Sequence, residues 1–351
     1  NILVANHHLL FADLAVRHQT GSISDPAVLP PYRKIIFDEA HHIEHVATNY
    51  FGAQITRGGI GRMLHRLARK KKNRETGQLP SIRGKIYKHG KSIPDELQQT
   101  LIDYLNQTLL PGAGEIEAQM HGVMDQLFEI LKIRNGGSLE SETKFRLLPE
   151  TQDAIFRSTG LQAPLQELLR SLRDYADHLK DFLTRAKKAR KYFEDSNWDS
   201  NIIEIEAQAE RLQAASETME TVAFKTSEEH IRWVEAKPAW RGRSIVRFMM
   251  SPLDVDDMMN QAVYEVFDTI VMTSATLTVD NSFDYLAQRI GLAELPPERR
   301  TGLILPAPFD YKSQVLMAIP LDMPDPRHNA FVDALGKAIF KAITISGGRA
   351  F

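Results

Sequence analysis

The sequence has no cysteine among its 351 residues, which excludes disulfides, a thiolate zinc site and a cysteine-held iron–sulfur cluster in this stretch. It has no uninterrupted apolar run of ~18 residues, the length a membrane-spanning helix needs. No secretory leader is expected either, since Asn1 opens directly on strand-like sequence. No membrane contact and a cytoplasmic location are therefore expected. The phosphate-cradling pattern G-x-x-x-x-G-K-[ST] is also missing, because the nearest string, Gly77 to Ile86, fails in spacing and in its final residue. Neither charge is in excess: 43 Lys and Arg against 45 Asp and Glu give a formal net charge of −2. Any contact with nucleic acid must then come from local patches. Tryptophan is scarce, with three in the chain, and Trp233 and Trp240 are expected to pack rather than to stack on bases.

What is present is enough for two or three domains with real cores, at 43% hydrophobic residues. The chain is organised around a short apolar run, Ile35 to Phe37, that ends in two adjacent carboxylates, Asp38 and Glu39. This reads as a buried strand ending in acid. In an open parallel sheet, ligands gather outside the carboxyl ends of the strands, so such a pair suits a metal-bound phosphate. One acid can hold Mg²⁺ through water while its neighbour accepts a proton from an attacking water. Two other readings stand beside it. The acids can simply open a helix at its positive end. Alternatively, His41-His42-Ile43-Glu44-His45 fits H-x-x-E-H, which would make a zinc hydrolase of His41, Glu44 and His45 if His41 and His45 share a helix face.

A second anchor lies far downstream, where Ile270 to Met272 form another short apolar strand before the hydroxyl-rich turn Thr273-Ser274-Ala275-Thr276. The order Asp-Glu-Ala-His (38–41), a long insertion, then Thr-Ser-Ala-Thr-Leu (273–277) resembles motifs II and III of superfamily 2 helicases. Val4-Ala5-Asn6-His7-His8-Leu9-Leu10-Phe11, Ser251-Pro252-Leu253-Asp254-Val255, Pro308-Phe309-Asp310-Tyr311 and Gly347-Gly348-Arg349-Ala350-Phe351 narrow the likeness. Together they resemble the DinG/XPD branch of iron–sulfur DNA helicases from one end of the chain to the other.

That resemblance implies an α/β fold: a RecA-like parallel-sheet motor domain interrupted by a mainly α-helical Arch-like insertion, with the start of a second RecA-like domain. The first motor domain would take residues 1–50 and 226–305, the insertion 51–225 and the second motor domain 306–351. The resemblance also implies roles. Asp38 holds Mg²⁺ through water, Glu39 orients or deprotonates the water that attacks ATP, and His41 relays the nucleotide state. Thr273, Ser274 and Thr276 couple hydrolysis to movement along single-stranded DNA and DNA junctions, in repair or replication. The family's four cluster cysteines lie just upstream of the Val-Ala-Asn-His-His-Leu-Leu stretch, so a 4Fe-4S cluster is expected only in a longer parent. The missing phosphate loop points the same way, and the chain is expected to be an internal section, inactive alone. A helical interaction module without catalysis is the other alternative.

Along the chain, residues 1–4 read as a strand and Asn6 to Val16 as a helix. Ile60, Met63, Leu64 and Leu67 fall at helical spacing, with Arg62 and Arg66 on the other side and Arg69, Lys70, Lys71, Lys72 and Arg74 following. This cluster is either a contact for DNA backbone or a solvated basic face. The region on to Gly90 reads as a mobile loop. Two helices are expected to break at Pro111 to Gly114. Leu165 to Ala186 and Ile205 to Val222 mark two long helices paired antiparallel. The Arg185 to Lys191 run reads as a solvated helix end. Strands are expected at Gln314 to Ile319 and from Arg349 onward.

Overall fold

Asn6 opens the first helix, accepting the backbone N–H of Leu9 on its side-chain oxygen at 2.8 Å. Helix α1 runs His7–Thr20 and buries Phe11 and Leu14. The computed structural model describes residues 2–20, 28–72, 74–88, 93–193, 197–238 and 244–349. The strand expected at 1–4 does not form over its described residues: Ile2, Leu3 and Val4 are exposed and pair with no neighbouring strand. Strand β1, Lys34–Asp38, buries Ile35 and Phe37 but leaves Ile36 73% exposed. It is therefore half-buried, with one face on the core, rather than buried on both faces as expected. A 3₁₀ turn, Ala40–His42, leads into α2, Ile43–Phe51.

Strand β2, Ala53–Thr56, precedes α3, Arg57–Leu67, which buries Ile60, Leu64 and Leu67 as their spacing predicts. Strands β3, Arg69–Lys71, and β4, Arg74–Thr76, form a hairpin. Helix α4, Gln78–Lys88, follows and buries Leu79, Ile82 and Ile86. The expected loop to Gly90 is thus a hairpin and a helix through Lys88, held by that apolar stripe; His89 and Gly90 lie outside the described residues. Helix α5, Asp95–Tyr104, passes through a π turn, Leu105–Leu109, into α6, Leu110–Arg134. The break expected at Pro111 to Gly114 does not occur: the helix runs on through Pro111, which lacks an N–H and follows directly on the π turn where the i→i−4 ladder is already interrupted.

Strand β5, Thr143–Arg146, and the short α7, Pro149–Gln152, lead to the long helices α8, Gln162–Ala189, and α9, Asn197–Phe224. These two are antiparallel: Arg190 meets Asp199 at 2.6 Å, Lys187 meets Glu206 at 2.9 Å and Arg173 meets Glu220 at 3.4 Å. Strands β6, His230–Lys237, and β7, Ile245–Pro252, complete an antiparallel sheet in the order β2-β7-β6-β5. Val234, Ala236, Val246 and Phe248 of this sheet share one apolar core with the helices. The helical core thus extends past residue 225 to take in the β6–β7 pair.

Helix α10, Asp256–Met259, and strand β8, Thr269–Thr273, return to the first core, and α11, Asp284–Arg289, follows. That core gathers Phe11, Leu14, Ile35, Phe37, Ile43 and Tyr264. β8 lies parallel to β1, so the fold is mixed α/β with a parallel pairing; among the described residues that parallel sheet has two strands. The chain forms two compact units, Asn1–Arg300 and Thr301–Phe351. The second unit contains α12, Tyr311–Gln314, and α13, Phe331–Ile345. The strand expected at Gln314 to Ile319 is absent there; Val315, Leu316, Met317 and Ile319 are exposed without a strand to pair with. Arg349 belongs to no element, and Ala350 and Phe351 lie outside the described residues. No helix among the described residues is long and apolar enough to cross a membrane.

Candidate functional site

The parallel register sets Asp38 beside Thr273, so both loops leave the same end of the β1–β8 pair. Glu39 then takes a left-handed backbone conformation, φ 51° and ψ 47°, which turns the chain out of β1 and into the 3₁₀ turn. For a residue with a Cβ this costs about 1–2 kcal/mol. The Asp38 carboxylate steadies the turn by accepting the Glu39 N–H at 3.1 Å. Across the gap, the Ser274 hydroxyl donates to Glu39 Oε2 at 3.1 Å. His41 Nδ1 lies 2.8 Å from the same hydroxyl and 3.3 Å from Glu39 Oε2. Ser274 has one proton to give, so once it is given to Glu39, His41 must donate from Nδ1 to Ser274 Oγ. The Thr276 N–H points at this oxygen too, at 3.4 Å.

Glu39 and Asp38 are exposed, the Glu39 side chain by 60%. Oε1 of Glu39 and Oδ2 of Asp38 carry no hydrogen bond among the described residues. Hard carboxylate oxygens open to solvent are the donors Mg²⁺ prefers, and it commonly keeps several of its waters. The expected residues Asp38, Glu39, His41, Thr273, Ser274 and Thr276 are thus gathered at one end of the sheet.

The zinc alternative is corrected by the same geometry. His41 belongs to the 3₁₀ turn and α2 starts only at Ile43, so His41 and His45 do not share a helix face. His41 goes to Ser274 and Glu39, Glu44 accepts from Arg289 Nε at 3.0 Å, and His45 meets Asn49 at 3.2 Å. Among the described residues no three His, Asp or Glu side chains gather as metal ligands.

Two supporting networks were not anticipated from the sequence. Arg289 ties Glu44 to Asp254, the latter at 3.4 Å, and the hydrogen bond it donates to Glu44 holds its guanidinium above the usual range. Asp13, fully buried, accepts the N–H groups of Val28 and Leu29 at 2.8 and 2.7 Å on one oxygen. Its other oxygen accepts from Arg17 and the Tyr32 hydroxyl, each at 2.7 Å. Burial alone would raise the Asp13 pKa, but the bonds from Arg17, Leu29 and Tyr32 and the Arg17 charge together hold it below the usual range. Burial and the Asp13 carboxylate push Tyr32 far upward, so it stays a donor. This cluster pins α1 to the segment entering β1. Its one legible signal is the i, i+4 spacing of Asp13 and Arg17.

The basic residues divide. Arg69, Lys70, Lys71 and Arg74 lie on the exposed β3–β4 hairpin, and Lys72 stands in its turn at φ 54°. Lys70, Lys72 and Arg74 line one concavity with Arg83, which pairs with Glu75. Arg66 instead reaches Glu204 at 3.2 Å, and Arg62 lines a different groove. The Arg185 to Lys191 run is a helix end paired with α9 through Lys187 and Arg190. Trp198 is buried and stacked on Phe193 at 3.8 Å, and Trp233 donates to Glu235 at 2.8 Å. Trp240 lies outside the described residues.

No family model matches the chain. It is, however, similar over almost its whole length to curated proteins. It is 24% identical to the ATP-dependent DNA helicase DinG of Photobacterium profundum, over 97% of this chain and 44% of that protein. To the ATP-dependent DNA helicase YoaA of Haemophilus influenzae it is 26% identical, over 100% of this chain and 43% of the relative. A Bacillus subtilis protein named 3'-5' exonuclease DinG is 23% identical over 92% of this chain and 32% of its own length. The chain spans less than half the length of each of these relatives.

Proposed function

Because the chain is DinG-like along almost its whole length, we propose that it is the central section of an ATP-dependent DNA helicase that couples ATP hydrolysis to movement on single-stranded DNA. The observation that carries this reading is the hydroxyl of Ser274, hydrogen-bonded at once to Glu39 and His41. On this reading residues 1–50 and the return after β7, to about residue 305, are RecA-like, the helical core with its antiparallel sheet through Pro252 is the Arch-like insertion, and a second motor domain begins near residue 306. A role in repair or replication belongs to the same proposal.

Asp38 would hold Mg²⁺ through water; when bound, the ion offsets charge on the phosphates of ATP. Glu39 has one oxygen fixed by Ser274 and His41, which leaves Oε1 to orient the attacking water and accept its proton. Protonation weakens Glu39 as an acceptor, and the Ser274 bond weakens with it. The loop after β8 is then released from the loop after β1, and Thr273, Ser274 and Thr276 pass that change toward the DNA. His41, which touches both partners, senses the same step. The hairpin cations Arg69, Lys70, Lys71, Lys72 and Arg74 attract strand phosphates without reading bases. The sequence carries no phosphate cradle, so seating ATP calls on further sequence of a longer parent, where a 4Fe-4S cluster is also expected.

The test compares the 351-residue chain with the full-length parent in an ATP hydrolysis assay with single-stranded DNA. The parent is expected to turn ATP over and the chain alone to stay at background. Zinc bound stoichiometrically and lost on His45→Ala would favour the hydrolase reading instead.

A further inference from the structure

The groove at the head of α3 holds positive groups that its own residues do not satisfy. Thr56, Arg57, Gly58, Arg62 and Arg247 line a space of about 710 Å³. The first turn of α3 contains no acidic residue, although that end of a helix is positive and its leading N–H groups lack intrahelical acceptors. Thr56 Oγ1 accepts the one from Gly59, at 2.9 Å. Two arginines add to the positive end. Arg62 Nη1 lies over Gly58, 3.4 Å from where a Cβ would stand, and has no ion-pair partner among the described residues. Arg57 is only 8% exposed. Its Nη2 pairs with Asp125, but Nε and Nη1 have no hydrogen-bond partner among the described residues. Buried guanidinium donors left unpaired are costly and call for an acceptor. The other charges around the groove are already matched. Arg247 meets Glu235 and Glu142 at 2.8 and 3.1 Å, and Glu117 faces His65 and His121 at 2.9 and 3.6 Å.

We propose that this groove seats a phosphate group, taken by Arg57, Arg62 and the leading N–H groups of α3. A phosphate offers several acceptor oxygens and at least one negative charge, which is what two guanidinium groups at a helix head lack. The volume falls in the range of small-molecule pockets, about 300–1,000 Å³, so a nucleotide unit of a strand fits as well as free phosphate. Reading the phosphate as part of a DNA strand rests on the helicase reading above; the phosphate seat itself does not.

The test uses the 351-residue chain, the variants Arg62→Ala and Gly58→Asp, and two probes, inorganic phosphate and an oligo-dT strand. Gly58 has no positive φ, so it accepts a side chain, and aspartate there supplies a carboxylate beside Arg62. Phosphate is expected to raise the wild-type melting temperature by about 2 °C or more over chloride at equal ionic strength. Gly58→Asp should melt above wild type without phosphate and show no phosphate shift, and Arg62→Ala should lose most of the shift. A wild type with no shift, or variants that keep the full shift, would overturn the seat. If both variants also weaken oligo-dT binding several-fold, the bound group is a strand phosphate; if strand affinity is unchanged while the shift is lost, the seat takes free phosphate. A chain that binds no strand at all counts against the helicase reading and leaves the phosphate shift to decide the seat.

Discussion

Ser274 and Glu39 lie 235 positions apart and meet through a 3.1 Å hydrogen bond at the carboxyl ends of two parallel strands. The same hydroxyl lies 2.8 Å from His41 Nδ1, so Ser274 links the loop after β8 to two residues of the loop after β1. Changing Ser274 and Thr276 together to Ala in the full-length parent is expected to uncouple the motor. DNA-stimulated ATP hydrolysis should survive better than strand separation, as read by parallel turnover and unwinding assays. Equal loss of both would count against a coupling role.

The buried Asp13 cluster predicts a pH dependence. Its folded-state pKa is held low, so its stabilisation is fully present above the ordinary carboxylate pKa, about 3.9. That contribution is lost as pH falls through the depressed folded value. Asp13→Asn should cost about 3 kcal/mol at pH 7, because it removes the buried carboxylate charge to which Arg17, the Tyr32 hydroxyl and two backbone N–H groups donate. Urea unfolding at pH 7 and pH 3 checks this, and the gap between variant and wild type should narrow at the lower pH.

The hairpin predicts weak, salt-sensitive binding of single strands by the 351-residue chain. With about three phosphates neutralised, log K against log salt should fall with a slope near −2, at roughly −0.7 per contact. Replacing Lys70, Lys71 and Lys72 with Ala should flatten the slope and weaken binding alike for every sequence. An unchanged slope would leave the hairpin a solvated basic face.

Two glycines of α6 should respond with opposite signs. A Cβ on Gly112 would stand 3.1 Å from the Tyr175 ring, and that ring is fixed by burial and by its hydroxyl bond to the Leu109 carbonyl at 2.9 Å. Gly112→Ala should therefore destabilise by about 1 kcal/mol. Gly114 has nothing within 4 Å of its Cβ position, so Gly114→Ala should stabilise by about 0.5–1 kcal/mol. Denaturant midpoints of the two variants decide it.

The parts of this fold that were legible in the sequence are those with local periodicity. Leu165, Leu168, Leu172, Leu179 and Ala186 mark one face of α8, and all are buried. Ile35 to Phe37 and Ile270 to Met272 both became strands. Helix α4 was hidden because Gly77 precedes it and Pro80 and Gly84 punctuate it, while Leu79, Ile82 and Ile86 supply the burial that outweighs them. Residues 315–319 have strand-like composition, but a strand exists only through a partner, and none lies beside them among the described residues. In the site, residue types were legible and their meeting was not. The juxtaposition of Asp38 with Thr273 depends on a register across the whole insertion, and Arg289 on Glu44 is set by tertiary packing alone.

Turnover by a Glu39→Gln variant of the full-length parent measures the role proposed for Glu39, activation of water for ATP hydrolysis. The substitution keeps the side chain's size and an oxygen for Ser274 but removes the carboxylate that accepts the proton. Nucleotide binding should stay within a few-fold of wild type while kcat falls by about 100-fold or more. Turnover within a few-fold of wild type, with binding intact, would contradict that role.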